Sequence, residues 1–372
     1  MEPSELWRAR VDSLIRNLHL TSVRNISELD ISFEPGITVI SGKNGCGKTT
    51  LLEIVHVLSH GYSFRSRDLK ELISWNAEEL IARGTFLAEL ESTRALSVNS
   101  LTGIVAKKDG LEAKSASLFF GQIPAVIMQP SDISLVRGSP EERRSWMDEI
   151  LCLRSPLNTE YLKRYRRILL QRNQWLRQNR LGRPIGGETL FSVLTEQFIE
   201  LAVRIWKARL EMVCEIGPIA SNYYKILAAG ADEVTTSYRS SVTKENESLN
   251  LERDFRERLE CLDHAERCQG VTLIGPHKDD FILWSSGYEL RSVGSQGQCR
   301  SAAISMRFAA LDLACKNLCP SILLLDDVFA ELDEYRRGAV ADLIREKHAQ
   351  VLIATPRLQD IPFTPDAEIQ MD

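Results

Sequence analysis

Ser41-Gly42-Lys43-Asn44-Gly45-Cys46-Gly47-Lys48-Thr49-Thr50 is the stretch whose reading decides the fold. Its skeleton is Gly42, four residues, Gly47, Lys48 and Thr49. The apolar run Ile37 to Ile40 precedes it and Leu51-Leu52-Glu53-Ile54-Val55 follows, so strand, glycine loop and helix come in the order a phosphate-binding loop requires. Glycines let the backbone curl until successive N–H groups converge on an anion, and the positive end of the next helix favours the same charge. Gly42, Lys43, Asn44, Gly45, Cys46, Gly47, Lys48, Thr49 and Thr50 are therefore the expected phosphate cradle. Lys48 would reach the outer phosphates and assist the chemistry there, and the Thr49 hydroxyl would ligate magnesium. The bland alternative is a glycine-rich turn that binds nothing.

A second half of such a site lies far along the chain. Gly294-Ser295-Gln296-Gly297-Gln298 opens an expected helix from Ser301 to Lys316, and Ile322-Leu323-Leu324-Leu325 then runs into Asp326-Asp327. An apolar run ending in a carboxylate predicts a buried parallel strand that delivers Asp326 to the carboxyl edge of the sheet, where nucleotides bind. Asp326 would complete the magnesium site with Thr49. Asp327 would orient or deprotonate the attacking water as the catalytic base, with Lys48 neutralising charge. Most of the chain separates loop from strand, which predicts an insertion and a nucleotide head assembled from both halves: 1–137, an inserted helical domain 138–258, and 259–372.

The 372 residues, 44% hydrophobic and 26% charged, are those of an ordinary globular protein with ample length for a core. Eight scattered cysteines carry no CxxC pair, so a reduced cytoplasmic protein is expected rather than a zinc or disulfide framework. The amino terminus has no signal profile and no run approaches membrane-spanning length. A net charge of −5 means that any nucleic-acid surface must be local.

Leu14–Leu20 and Leu29–Phe33 alternate as two strands around a polar turn, and short alternating runs between Ala82 and Ile127 predict a small antiparallel sheet beside the nucleotide core. From Pro140 the pattern is helical. Tyr161, Tyr165, Ile168 and Trp175 share one helix face; Leu194, Phe198, Leu201, Ile205, Ala208 and Met212 share another, with a turn at Asn179–Gly187 between them. An antiparallel helical hairpin follows, with a plain globular helical core as the alternative. Lys163, Arg164, Arg166, Arg167 and Arg172, continuing to Arg177, Arg180 and Arg183, form an acid-free basic run suited to phosphate backbones; a merely solvated face is equally compatible. A further charged helix covers Asp254–Leu262, and strand character resumes over Val271–Asp280, where His277 is more often structural than catalytic.

Taken together, these motifs resemble the ABC-type ATPases of chromosome maintenance, and most closely the bacterial RecF family. The resemblance is carried by Arg24-Asn25, Phe64-Arg65-Ser66, Gly138-Ser139-Pro140 with Arg143-Arg144, Gln171-Arg172-Asn173, GPHKDD from Gly275, GSQGQ from Gly294 and LLLDDVFAELD from Leu323. It implies an α/β ABC-type P-loop ATPase head with an inserted, mostly α-helical hairpin domain, using ATP and Mg2+. It also implies a homodimer on ATP binding, in which Ser295, Gln296, Gly297 and Gln298 contact the partner's nucleotide while Asp333 couples the two sites. Slow ATP hydrolysis, binding of double-stranded or gapped DNA, and work with RecR and RecO to load RecA in gap repair and the SOS response are implied in the same way.

Departures from the family pattern are Val23 in place of an aromatic residue, Pro130-Ser131-Asp132 beside Gln129, and a Met1–Ser13 extension. Thr355 stands where transporter ATPases carry a switch histidine, and Cys46 sits inside the loop, where oxidation would block nucleotide. A membrane-transporter ATPase subunit and a small-molecule kinase remain the competing classes.

Overall fold

The computed structural model describes residues 14–66, 68–87, 91–113, 123–182, 186–230, 232–242, 250–315, 321–347 and 349–371. These form two compact units: Met1–Asp132, Ile226–Gly230 and Ile304–Asp372 in the first, Ile133–Lys225 and Ala231–Ala303 in the second. The division differs from the expected boundary at residue 258. Residues 259–303, with the Ser295–Gln298 motif, belong to the second unit.

Two sheets and one central helix build the first unit. Strands β1 (Ile15–Val23) and β2 (Ile26–Ser32) pair antiparallel, and β4 (Glu79–Leu87), β5 (Glu91–Asn99), β6 (Gly103–Lys108) and β7 (Leu111–Glu112) extend them in the order β2-β1-β4-β5-β6-β7. β4 and β5 bury every second residue, the signature of a sheet with one wet face. The two expected antiparallel pieces are thus one sheet. The second sheet, β14-β3-β13-β12-β8, is parallel throughout: β3 (Ile37–Gly42), β8 (Ala125–Met128), β12 (Ser321–Asp326), β13 (Ala349–Thr355) and β14 (Ala367–Met371).

The short runs expected in the antiparallel sheet extend to Ile127, but Ala125–Met128 does not join it. All four residues are buried, which suits a strand covered on both faces, and they pair with β12 instead. Helix α1 (Lys48–His60) is buried along nearly its whole length. Leu51, Leu52, Ile54, Val55, Val57 and Leu58 share one core with Leu20, Leu80, Phe86 and Leu96 of the antiparallel sheet and with Ile127, Leu324 and Leu352 of the parallel one.

The second unit is mainly helical: α2 (Pro140–Arg154), α3 (Pro156–Arg180), α4 (Gly187–Leu227), α5 (Leu251–Gln269) and the first turns of α6 (Gln296–Cys315), with a small sheet β11-β10-β9. In that sheet β10 (Asp280–Ser285) lies between β9 (Val234–Arg239) and β11 (Tyr288–Glu289). Ser139 and Glu142 cap α2 reciprocally, with Pro140 at the first helical position.

The hairpin of α3 and α4 is present, and its partners run in opposite directions. Trp175 stacks on Phe191 with centroids 4.3 Å apart, Tyr165 stacks on Phe198 at 5.4 Å, and the Arg204 guanidinium lies over Tyr161. The expected strand at Val271–Asp280 does not form before Asp280. A turn occupies that span because Asp279, buried, takes hydrogen bonds from the Trp206 indole, the Tyr238 hydroxyl and the Ser241 amide. Met1–Ser13, Ala88–Leu90 and Arg183 lie outside the described residues. No helix among the described residues is long and apolar enough to cross a membrane.

Candidate nucleotide site

Because the five strands of the second sheet are parallel, their carboxyl ends share one edge. Gly42 ends β3, Asp326 ends β12, and Thr355 ends β13 between them. The loop after β3 and the turns after β12 and β13 therefore face a common cleft of about 460 Å³, lined among others by Asn44, Gly47, Lys48, Thr49, Asp326 and Asp327.

The glycines of the loop are there for backbone reasons. Gly42 has φ +153°, and a Cβ built on it would stand 2.2 Å from the Met371 carbonyl oxygen of β14. Gly47, at φ +110°, enters α1 in a conformation L side chains avoid, with Ile26 3.0 Å from where a Cβ would sit. From the β1–β2 turn, Asn25 Nδ2 donates to the Gly45 carbonyl at 2.6 Å and ties the loop to the antiparallel sheet.

Lys48 is buried, and its ammonium donates to the Gly42 and Lys43 carbonyls at 2.7 and 2.8 Å. Cys46 Sγ lies 3.8 Å from it. Thr49 Oγ1 donates to Asp326 Oδ1 at 2.8 Å, so a hydroxyl and a carboxylate meet as hard oxygen donors at the cleft. These residues fit a divalent cation, since a hydroxyl and a carboxylate oxygen that could hold one converge in the lining of the cleft. Burial pushes the Asp326 carboxyl up; its bond from Thr49, then Arg65 and Lys48, pull it back. Asp327 follows the strand with φ 51°, and burial, then the Asp326 charge, raise its carboxyl as well.

Three further residues, which sequence spacing does not assign to the site, line the cleft alongside the loop: Arg24, Asn25 and Arg65. Their only sequence signal is their presence in short family motifs, because nothing in the spacing places the β1–β2 turn or the segment after α1 at the mouth of the cleft. Thr355 and Pro356 also line it.

The remaining expected residues lie elsewhere. Ser295 to Gln298, in the second unit, form a capping box at the start of α6: the Gln298 amide donates to Ser295 Oγ at 3.2 Å and the Ser295 amide to Gln298 Oε1 at 2.8 Å. Asp333 caps α7 (Glu334–Glu346) by accepting from the Arg336 amide at 2.9 Å, and that bond lowers its carboxyl.

Of the basic run on α3, Lys163, Arg164, Arg166 and Arg167 are exposed, but Arg172 is not. It is 2% exposed, paired with buried Glu266 at 2.7 Å, bonded to Thr272, and stacked over Phe191 and Phe198. Arg172 is thus a core residue that holds α3 to α5, and the expectation of a DNA contact there is withdrawn. Arg166 pairs at 3.0 Å with Asp148, which also takes the buried Arg209. His277 is structural: Tyr165 bonds its Nδ1 at 2.7 Å, and burial pushes the imidazole down to about 4.

Comparison with known proteins agrees with this architecture. A family profile described as an AAA domain matches residues 17–99. Proteins named DNA replication and repair protein RecF are 35% identical over 351 residues in Halalkalibacterium halodurans, covering 93% of this chain and 94% of that one. In Bacillus subtilis the identity is 33% over 351 residues, with the same 93% and 94% coverage. The fold matches a structure described as the recombination mediator protein RecF-ATP in the RecFOR pathway, with a TM-score of 0.88, 26% identity, and 96% and 95% of the two chains covered. An Smc head domain from Pyrococcus furiosus, 18% identical, shares the fold at a TM-score of 0.53 over 92% of this chain and 90% of that one. The architecture is that of an ABC-type P-loop ATPase head carrying a helical insertion. With identity above 30% across nearly the whole of both chains, and with the phosphate loop and paired aspartates on one parallel sheet edge, this chain belongs to the RecF family of DNA replication and repair proteins.

Proposed function

We propose that this chain is an ATP-dependent DNA-binding protein of recombinational gap repair, in which ATP closes a homodimer on double-stranded DNA near a gap. The observation that carries the reading is the convergence of Lys48, Thr49, Asp326 and Asp327 on one cleft, with the Thr49 hydroxyl 2.8 Å from Asp326.

Within the cleft the loop amides of residues 42–49 cradle the phosphates, and the Lys48 ammonium turns from the loop carbonyls to the outer phosphates. Magnesium at Thr49 and Asp326 would neutralise charge building on the phosphate oxygens. Asp327 orients the attacking water and accepts its proton. Its upward-shifted carboxyl is a stronger base than an ordinary aspartate, and slow turnover used as a switch belongs to the same proposal.

Ser295, Gln296, Gly297 and Gln298 close on the partner's nucleotide, and Asp333 couples the two sites. The position of these residues at the start of α6 supports this role, since the positive end of a helix favours an anion; to reach a phosphate, the Ser295 and Gln298 side chains would exchange their mutual capping bonds for it. Lys163, Arg164, Arg166 and Arg167 on the exposed face of α3 contact the DNA backbone. RecO and RecR are the assembly partners in assisting RecA loading and the SOS response, as the RecFOR context of the matched structure supports.

Sedimentation with and without ATP and gapped DNA tests the reading. The expected result is a monomer that becomes a DNA-bound dimer only with ATP. A Lys48→Met protein that still dimerised on DNA with ATP would overturn it.

A further inference from the structure

Glu53 is a fully buried carboxylate of the first unit. It sits in the second turn of α1 at 0% exposure, flanked by Leu51, Leu52, Ile54 and Val55. An isolated carboxylate there would be strongly destabilising. Three hydrogen bonds and a second ion pair compensate it. Arg24 binds it in a fork, Nε to Oε2 and Nη2 to Oε1, both at 2.9 Å; Ser63 Oγ donates to Oε1; and Arg65 Nη1 stands 3.6 Å from Oε2.

The same contacts organise the chain after α1. Ser63 Oγ accepts from the amides of Arg65 and Ser66, each at 2.9 Å, and Arg24 Nη2 also donates to Ser66 Oγ at 2.8 Å. One buried carboxylate thus fixes the β1–β2 turn at Arg24 and the turn at residues 63–66 together. Arg65 is treated differently from Arg24. At 3.6 Å it is held by charge but not by a hydrogen bond, its side chain is 43% exposed, and it lines the cleft with Lys48, Asp326 and Asp327. Its planar fork of donors remains free for another anion. Arg65 also lies close enough to Asp326 for its charge to oppose the upward push of burial on that carboxyl.

We infer that Glu53 is a positioning residue of the nucleotide cleft: through Arg24 and Ser63 it sets the turn that aims the Arg65 guanidinium at the polyphosphate of a bound nucleoside triphosphate. This rests on the ATP reading above.

A double-mutant cycle on full-length protein, read as ATP affinity by fluorescent ATP-analogue titration with Mg2+, tests it. Arg65→Ala, at an exposed side chain, should weaken binding about tenfold, as removal of one charged hydrogen-bonding group does. Glu53→Gln, which keeps the shape and removes the charge, should weaken binding similarly, and the double variant should be no weaker than Arg65→Ala alone. Independent, multiplying losses would make Glu53 a plain structural residue and overturn the inference, as would a folded Glu53→Gln protein with wild-type affinity. If Glu53→Gln fails to fold, Ser63→Ala takes its place in the same cycle, since it withdraws only the hydroxyl that ties residues 63–66 to Glu53. Absence of ATP binding by the wild-type protein overturns the ATP reading itself, and that arm is read before any variant.

Discussion

Thr49 on α1 donates its hydroxyl to Asp326 at the end of β12 across 2.8 Å, joining residues 277 apart in sequence into one pair of oxygen ligands. If that pair holds magnesium, Asp326→Asn removes the charge but keeps the acceptor. ATP affinity should fall at least about tenfold in the presence of Mg2+, because a ligand should matter no less than the groups that support it, and should stay unchanged in EDTA. Titration under both conditions separates the two cases. An equal loss without magnesium would assign Asp326 to packing.

Asp327 takes the adjacent position, outside the strand in a left-handed conformation. Asp327→Asn should slow single-turnover hydrolysis by about 10²–10⁴-fold, the range of a lost general base, while ATP binding is retained. Binding lost in parallel with hydrolysis would make Asp327 a ligand instead.

Two kinds of arginine on α3 should respond in opposite ways. Arg172→Ala leaves the Glu266 carboxylate buried without its main partner, so it should cost about 3–5 kcal/mol in thermal or denaturant unfolding. Arg164→Glu and Arg167→Glu change exposed side chains and should move stability by no more than about 0.5 kcal/mol. They should weaken DNA binding and flatten its dependence on salt by about one unit of slope for each phosphate that is no longer neutralised. An unchanged slope would return that face to plain solvent.

His56 and His60, stacked on α1 with centroids 4.2 Å apart, supply an acid limit. Burial and their mutual repulsion push His56 well down, and burial pushes His60 to about 4. The folded state therefore takes up protons later than the unfolded chain, whose histidines titrate near 6.5. Their contribution to stability is complete above about pH 6.5 and is lost as pH falls towards 4, at about 1.4 kcal/mol per pH unit for each histidine. Unfolding midpoints measured from pH 7 to 4 check the slope, and His60→Phe should remove one histidine's share.

Local pattern carries the sequence reading a long way, and its failures share one cause. The loop at Gly42, the apolar run ending at Asp326 and the seam from Leu194 to Met212 all follow from neighbours in sequence, and each forms where expected. Arg172 does not behave this way. A run of arginines looks alike whether its members face water or a buried glutamate, and Glu266 lies on another helix. The place of Ala125–Met128 in the parallel sheet is hidden because its partner β12 lies far downstream, and the turn at residues 271–279 is set by Asp279 and its distant donors. Arg65 is hidden for the same reason: its place in the cleft depends on Glu53, Ser63 and Arg24 acting together.

The strand order β14-β3-β13-β12-β8 has a consequence for biosynthesis. The strand that leads into the phosphate loop has both its neighbours, Ala349–Thr355 and Ala367–Met371, near the other end of the chain. During translation that strand waits with both edges unpaired until those two downstream strands have been made. Closing so distant a pairing is slow, and unpaired edges invite aggregation. The antiparallel sheet, whose strands are neighbours in sequence, can form first and shelter α1. A nascent chain should therefore gain nucleotide binding only once Ala349–Thr355 and Ala367–Met371 have emerged, however early its glycine loop is made.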